Sequence, residues 1–221
     1  MKWLPWALVM MLGGCSATTE IPVKSEPTPI TTVSETLTDD EVIRTLFKSF
    51  VEQVNTGDGR GAMISCTLTS RPFAGQLQQH ALRSTESQLA SLPTLQRLLV
   101  YTLREVQPPT LQAETEVGAL EAVLTVAKEF VVAVDLTSLK ISGERATATA
   151  AQPGTDPVVV SFTRDVTGRW ALDLPALVEA LSGALDQVAD GKNLTSAQMV
   201  DQVLTTRFGA ARAIELRKPL K

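Results

Sequence analysis

The chain contains few side chains that serve as nucleophiles or metal ligands: one histidine, His80, and two cysteines, Cys15 and Cys66. A thiol nucleophile needs a base beside it, and His80 is the one histidine that could serve Cys66 in this way. A zinc site needs about four nitrogen, sulfur or oxygen ligands, and the residues around His80 do not supply them at metal-binding spacing. We therefore expect no catalytic residue, no metal site and no cofactor-binding site. We expect His80 to be solvated on a helix face, and Cys66 to be buried and inert on an apolar helix.

Cys15 stands at the end of a short apolar segment that opens the chain. Lys2 supplies one positive charge, and the apolar run that follows is shorter than the ~20 residues that a membrane-spanning helix needs. Such a segment is typical of the core of a signal peptide. Residues 12–15 (LGGC) resemble the lipobox of bacterial lipoproteins, in which small side chains precede the modified cysteine.

The lipobox resemblance implies a diacylglyceryl thioether on Cys15, cleavage before Cys15 and acylation of the new amine. Residues 1–14 are then the signal peptide, and a lipid anchor holds the chain at the membrane of the cell envelope. In lipoproteins of the enteric type, Asp after the cysteine favours the inner membrane, so Ser16 predicts the outer membrane and a domain that faces the periplasm. The alternative is an ordinary secretory signal with a chance cysteine.

Residues 15–37 are predicted to be the lipidated cysteine and a disordered tether. The segment is rich in Ser and Thr, carries Pro22, Pro27 and Pro29, and lacks aromatic residues. It cannot bury enough apolar surface to offset the entropy of ordering it. Fully extended, it would reach about 65 Å. The alternative is an edge strand over residues 30–33.

Composition limits the kinds of protein that the chain can be. Of its 221 residues, 44% are hydrophobic and 20% are charged, which is typical of a globular domain. The net charge of −4 argues against a nucleic-acid partner. Neither a glycine-rich phosphate loop after a strand nor a Gly-x-Ser-x-Gly elbow occurs. We predict a single domain over residues 38–221.

Helical periodicity dominates the first half of this domain. Thr38 and Glu41 have the spacing of a capping box, and apolar residues at helical spacing continue to Val54 before the NTGDG stop at residues 55–59. Further helices are predicted from about residue 59, over 73–83, 85–92 and 94–106, with breaks at Arg71-Pro72, Pro93 and Pro108-Pro109. Residues 114–128 are ambiguous, because Gly118 weakens their helical pattern.

Strand patterns dominate the region after residue 130. Strands are predicted over 130–136 continuing at 139–141, and over 145–150, 158–164 and 169–174, with tight turns that make an antiparallel meander. Helices follow, one from Pro175 to about residue 190 and one from the capping box at Thr195 to about Arg212. The expected fold class is α+β: N-terminal helices packed on a four-stranded antiparallel meander, followed by C-terminal helices.

Several short segments together resemble the nuclear-transport-factor-two-like superfamily, which includes ketosteroid isomerase and polyketide cyclases. They are the helix that ends at residues 55–58 (NTGD), residues 141–148 (ISGERATA), residues 162–164 (FTR) and residues 168–173 (GRWALD). The resemblance covers residues 38–174 and implies a cone-like core, in which a curved sheet wraps a long N-terminal helix around a pocket. Residues 175–221 are then added C-terminal helices.

An isomerase of that superfamily uses a pocket carboxylate as base and donors such as tyrosine as an oxyanion site. The resemblance therefore makes Asp135, Asp173, Tyr101 and His80 the candidate pocket groups. Asp135 stands in an apolar run, where burial would raise its pKa. Its place in a period-two pattern equally allows it to face water.

These observations predict a lipid-anchored envelope lipoprotein that serves as a non-enzymatic binding or assembly module. One alternative is a small-molecule enzyme, or a carrier of a small apolar ligand, that uses a cone-shaped pocket. Another is a structural partner of a second envelope protein that docks through the helices of residues 73–128. In that case those helices should carry an exposed apolar patch.

Overall fold

The computed structural model describes residues 37–105, 115–128, 130, 135–151 and 157–220. Within these residues, N-terminal and C-terminal helices surround a four-stranded antiparallel sheet, so the predicted α+β class is confirmed. The predicted signal peptide, Cys15 and the tether as far as residue 36 lie outside the described residues. So do the predicted helix break at Pro108-Pro109 and residues 152–156, which connect the second and third predicted strands.

Helix α1, Asp39–Thr56, begins at the predicted capping box. The Thr38 hydroxyl accepts a hydrogen bond from the Glu41 amide (3.3 Å), and the Glu41 carboxylate accepts one from the Thr38 amide (2.8 Å). The helix ends at Gly57, whose φ of 77° lies in the left-handed region that glycine favours. Its buried stripe comprises Ile43, Phe47, Phe50, Val51 and Val54.

Shorter helices follow as α2 Gly59–Ile64, α3 Ser70–Arg83, α4 Glu86–Leu89 and α5 Thr94–Leu103. The predicted break at Arg71-Pro72 is wrong, because both residues lie in the first turn of α3. A proline there sacrifices no helical hydrogen bond, since the amides of the first turn have no partner within the helix. The sequence alone therefore placed the start of this helix a few residues too late.

Residues 116–127, which the periodicity left ambiguous, form helix α6, Glu116–Ala127. Gly118 lies in the first turn, where its amide donates to the hydroxyl of the N-cap residue Thr115 (3.3 Å). Helix α2 packs closely on α6 through Gly59. A methyl group at Gly59 would come within 2.2 Å of the Glu121 carbonyl oxygen, so only glycine permits this approach.

The sheet consists of β1 Leu136–Ser142, β2 Arg145–Ala150, β3 Val158–Arg164 and β4 Trp170–Leu172, in the order β1-β2-β3-β4. Each neighbouring pair is antiparallel, as the predicted meander requires. Alternate residues of β2 and β3 line a buried inner face: Ala146, Ala148, Ala150, Val160 and Phe162. The opposite face presents Arg145, Thr147 and Thr163 to solvent.

The first strand begins later than predicted. Phe130 lies in a turn and β1 starts at Leu136, while residues 131–134 lie outside the described residues. The pairing with β2 shifts between Thr137 and Lys140, where Ser138 has a φ of 51°. Because β1 is an edge strand with Leu136 as its one buried residue, an apolar run is a poor guide to its limits.

The outer edge of β4 is covered by the segment that follows α2. Cys66 forms a parallel bridge with Leu172: the Thr67 amide donates to the Leu172 carbonyl (2.9 Å), and the Leu172 amide donates to the Ser65 carbonyl (2.7 Å). The predicted helical position of Cys66 is therefore wrong, since α2 ends at Ile64. Its predicted burial is confirmed.

The C-terminal helices are α7 Leu174–Gly191, α8 Ser196–Phe208 and α9 Ala210–Leu216. Pro175 lies in the first turn of α7, and Thr195 caps α8, as predicted. The single helix expected to run to about Arg212 is instead two helices, because Gly209, with a φ of 79°, interrupts it. None of the helices among the described residues is long and apolar enough to cross a bilayer.

Candidate functional site

The two carboxylates expected in a pocket lie apart from the other candidate groups. Asp135 is exposed and directly precedes β1. The Asp173 carboxylate caps α7, where it accepts a hydrogen bond from the Ala176 amide (3.2 Å). Within the described residues, no hydrogen bond or ion pair joins either carboxylate to Tyr101 or His80. Asp173 therefore fixes the start of a helix and is not placed as a base beside an oxyanion donor.

Tyr101 and His80, by contrast, are brought together around Arg104. The Arg104 residue is only 2% exposed, and its guanidinium carbon lies 5.4 Å from the centre of the Tyr101 ring. The guanidinium donates to four backbone carbonyls: His80 (3.2 Å), Ala81 (3.0 Å), Ser84 (2.6 Å) and Leu216 (2.9 Å). These bonds join the ends of two helices that are far apart in the chain.

The environment of Arg104 explains how a buried cation is tolerated without a carboxylate. His80 and Ala81 lie in the last turn of α3, and Leu216 ends α9. Carbonyls at helix C-termini have no partner within the helix and carry the negative end of the helix dipole. Arg104 satisfies carbonyls from two such ends at once, while burial lowers the pKa of its guanidinium.

Arg217 completes this region from the end of α9. Its Nη1 donates to Glu86 (2.7 Å) and its Nη2 to Asp201. Burial raises the pKa of the Tyr101 phenol, and the nearby Glu86 carboxylate raises it further, against the opposing effect of the arginines. We call Glu86, Tyr101, Arg104 and Arg217 the arginine cluster.

Arg97 lies one turn before Tyr101 on the same helix and is also buried. Its Nη2 is 3.4 Å from the Thr94 hydroxyl, which in turn donates to Asp186 (2.6 Å). Asp186 also accepts from the Ser196 hydroxyl (2.8 Å), so it ties α5 to α7 and α8. No hydrogen-bond acceptor lies within reach of Arg97 Nε among the described residues.

The contacts of the arginine cluster serve to hold helices together rather than to act on a substrate. The Arg104 and Arg217 donors named above point at carbonyls or carboxylates. A phenol whose pKa is raised stays protonated at neutral pH and is no base. His80 Nδ1 lies 2.9 Å from the Ser84 hydroxyl within the same turn. The cluster therefore holds α9 against α3, α4 and α5.

Sequence reasoning missed the arginines of this cluster. A signal was present, because Arg97, Tyr101 and Arg104 recur at i, i+4 and i+7 within an otherwise apolar helix. Their partners could not be found in this way. The Leu216 carbonyl lies 112 residues from Arg104 along the chain, and no local pattern predicts that contact.

Cys66 is not a nucleophile in this structure. Its Sγ lies 3.6 Å from the Ala62 carbonyl, and burial raises the pKa of the thiol to about 12. Because the thiolate is the reactive form, almost none of it is present at neutral pH. In the described part of the chain, no three residues among His, Cys, Asp and Glu lie close enough to hold a metal ion.

An apolar cavity lies between α1, α5, α6 and α7. Its walls include Phe50, Leu99, Leu124 and Leu177, and all the residues that line it are apolar. Its volume of about 20 Å³, measured for the centre of a water molecule, leaves room for about one water. A cavity of this size and lining offers a small-molecule substrate neither space nor polar groups.

The described helices within residues 73–128 do not present the apolar patch expected of a docking surface. Among their described residues, Val117 is the one exposed large apolar side chain, at 38%. Helix α5 is instead almost wholly buried, with Leu95, Leu98, Leu99 and Leu103 in the core. Helix α5 therefore forms part of the interior of the domain.

The first turn of α1 is bound to the ends of β3 and β4 that flank the turn between these strands. Asp39 Oδ1 accepts a hydrogen bond from the Trp170 indole (3.0 Å), and Asp39 Oδ2 pairs with Arg164. The Arg164 guanidinium carbon lies 4.6 Å from the centre of the Trp170 ring, and the Arg164 amide donates to the Glu144 carbonyl (2.8 Å). The β1–β2 and β3–β4 turns therefore lie at the end of the sheet that meets the start of α1.

We call this end of the domain the hairpin end; it comprises Leu37–Asp39, residues 141–145 at the β1–β2 turn and the β3–β4 turn at 165–169. Asp165 organises the second turn by accepting hydrogen bonds from the amides of Thr167 (2.9 Å) and Arg169 (3.0 Å). Hydrogen bonding to the charged carboxylate lowers the pKa of Asp165. Gly168 makes the turn, with a φ of 81°, and Trp170 is buried against the sheet.

No protein-family description, curated protein or solved structure matches this chain.

Proposed function

We propose that the chain is a lipid-anchored lipoprotein of the bacterial cell envelope that acts as a non-enzymatic binding or assembly module. The observation that carries the proposal is the Leu-Gly-Gly-Cys segment at residues 12–15, directly after an apolar run too short to span a bilayer. Ser16 directs the anchored chain to the outer membrane, where the domain faces the periplasm.

The energetics of lipidation suit a permanent anchor. Each buried methylene contributes about 0.8 kcal/mol, and a single acyl chain binds a membrane only reversibly. A diacylglyceryl group together with an acylated amine on Cys15 brings several chains. The anchor then needs no membrane-spanning helix.

The folded domain supports a non-enzymatic role. The expected pocket carboxylate Asp173 is used as a helix cap, and Tyr101 belongs to the arginine cluster, to which His80 contributes its backbone carbonyl. The cavity beside Phe50 and Leu177 is apolar and has room for about one water molecule. These features favour a module that acts through its surface over an enzyme or carrier with a ligand pocket.

The anchor is tested by expressing the full chain in a bacterial host with an alkyne analogue of palmitate. Wild type should incorporate the analogue, sediment with membranes and show an intact mass equal to residues 15–221 plus the lipid groups. Cys15→Ser should lose all three properties. Cys66→Ala is the matched control, because it removes the other cysteine and leaves residues 12–15 unchanged. Equal incorporation by Cys15→Ser and wild type would refute the anchor.

A further inference from the structure

Exposed apolar side chains gather at the hairpin end. Among the described residues, nine large apolar side chains are exposed, and three of them lie at this end: Leu37 (60%), Ile141 (41%) and Val166, which is fully exposed. Val166 stands at the tip of the β3–β4 turn, and Ile141 pairs with Ala146 beside the β1–β2 turn. Leu37 precedes the α1 turn that Asp39 fastens to Trp170.

The chain that leads to Cys15 enters the domain at the same end. The 21 residues from 16 to 36 have the composition of a tether, and their mean end-to-end distance would be about 25 Å. A domain of this length has a radius of gyration of about 16 Å. Such a tether keeps the end at which it enters nearer to the bilayer than the opposite end of the sheet.

We propose that the hairpin end faces the phospholipid bilayer and that Leu37, Ile141 and Val166 make an apolar contact with its surface. This inference rests on the lipid anchor proposed at Cys15. A short tether holds the domain at an effective concentration in the millimolar range relative to the membrane surface, so even a weak contact between the two becomes populated. The strength of such a contact rises with the apolar area that is buried in the interface.

The charges at this end argue that the contact is apolar rather than electrostatic. Arg145 and Arg169 are exposed there, but Glu144 and Asp165 lie beside them. Asp165 also pairs with Arg169 at 3.4 Å. The surface therefore has no cationic excess that would select anionic lipids.

The test uses the full lipidated chain with a single added thiol. Val166→Cys places the thiol in the proposed contact, just after the end of β3. Val159→Cys places it near the opposite end of β3, five residues or about 17 Å from Arg164. Val159 is also a valine and is 56% exposed, so the two variants are matched. Wild type, labelled in parallel, measures the background from the buried Cys66.

Each thiol carries a bimane fluorophore, and each protein is reconstituted into vesicles of phosphatidylethanolamine and phosphatidylglycerol that contain a nitroxide-bearing phosphatidylcholine. We expect quenching at position 166 to be several-fold greater than at position 159, and to persist in vesicles made without phosphatidylglycerol. Equal quenching at the two positions would overturn the contact, and so would loss of quenching without the anionic lipid. Intact mass, measured first, separates this failure from failure of the anchor: a chain without lipid on Cys15 refutes both proposals.

Discussion

The Trp170 indole donates a hydrogen bond to Asp39 Oδ1 at 3.0 Å across a separation of 131 residues in sequence. It joins the first turn of α1 to the last strand of the sheet. Arg164 strengthens the joint, because its guanidinium both pairs with Asp39 and stacks on the Trp170 ring at 4.6 Å. One carboxylate thus satisfies a buried donor and a stacked cation together.

Asp39→Ala should lower the free energy of unfolding by about 1–3 kcal/mol, because it leaves the buried Trp170 N–H without its acceptor. Urea denaturation measures the loss. Asp40→Ala is the matched control from the same helical turn. It removes an exposed pair with Arg44 and should cost less than about 0.5 kcal/mol. Equal losses would mean that Asp39 acts only through the helix dipole.

Gly59→Ala should destabilise the domain by about 3 kcal/mol or more. The added methyl would come within 2.2 Å of the Glu121 carbonyl and 2.4 Å of the Thr125 hydroxyl, so α2 and α6 must separate. Gly183→Ala is the control, because Gly183 lies in α7 with nothing within 4 Å of an added methyl. It should stabilise the domain by about 0.5–1 kcal/mol through helix propensity. Thermal and urea denaturation should show that one variant is less stable than wild type and the other more stable.

Arg104→Met should cost about 1–3 kcal/mol, since it removes the hydrogen-bond donor from carbonyls at the ends of α3 and α9. Hydrogen exchange should show the largest loss of protection in α9, Ala210–Leu216. Arg212→Met breaks the exposed pair with Glu105 and should cost no more than about 1 kcal/mol. A similar effect on α9 in both variants would contradict the special role of Arg104.

Cys66 should resist alkylation in the folded chain. Burial raises the pKa of its thiol from 9.0 to about 12, so at pH 8 the thiolate fraction falls by about a thousandfold. Iodoacetamide should modify Cys66 rapidly in urea and very slowly without it, as mass spectrometry can follow. Rapid modification of the native chain would show that the site opens to solvent.

The raised pKa of Cys66 also makes the free energy of unfolding depend on pH. The unfolded thiol ionises with its ordinary pKa of 9.0, while burial keeps the folded thiol protonated until about pH 12. The contribution of Cys66 to folding is therefore fully present below its ordinary pKa of 9.0 and is lost as the pH rises towards 12. Cys66→Ala should remove this part of the alkaline loss of stability.

Local sequence patterns predicted those helices and strands whose ends are determined by residues adjacent in the sequence. The Thr38–Glu41 and Thr195–Gln198 capping boxes mark the starts of α1 and α8, and Pro175 marks the first turn of α7. The start of α3 was wrong because the pattern treats Pro72 as a breaker, although a first turn accepts proline. The alternation of β2 and β3 was clear because one face of each is buried.

The relationships that define the candidate site depend on contacts between distant residues. Nothing near Arg104 in the sequence indicates that Leu216 supplies an acceptor, and nothing near Trp170 indicates Asp39. The predicted pocket role of Asp173 failed for a related reason. Asp173 directly precedes Leu174-Pro175 and therefore caps the helix that begins there. This local role was a better guide than the pocket role inferred from the superfamily resemblance.

The short strand β4 also bears on aggregation. An open sheet edge is a template on which other chains can add strands. Ser65–Thr67 covers the outer edge of β4, and at the other side of the sheet β1 carries an irregularity at Ser138 and an exposed Lys140. Both edges in the described part of the sheet are thus unsuited to pairing between copies. The proposed lipid anchor would concentrate the protein in two dimensions on a membrane, where it would meet its own copies far more often than in solution, and these two edges would keep such encounters from growing into a continuous sheet.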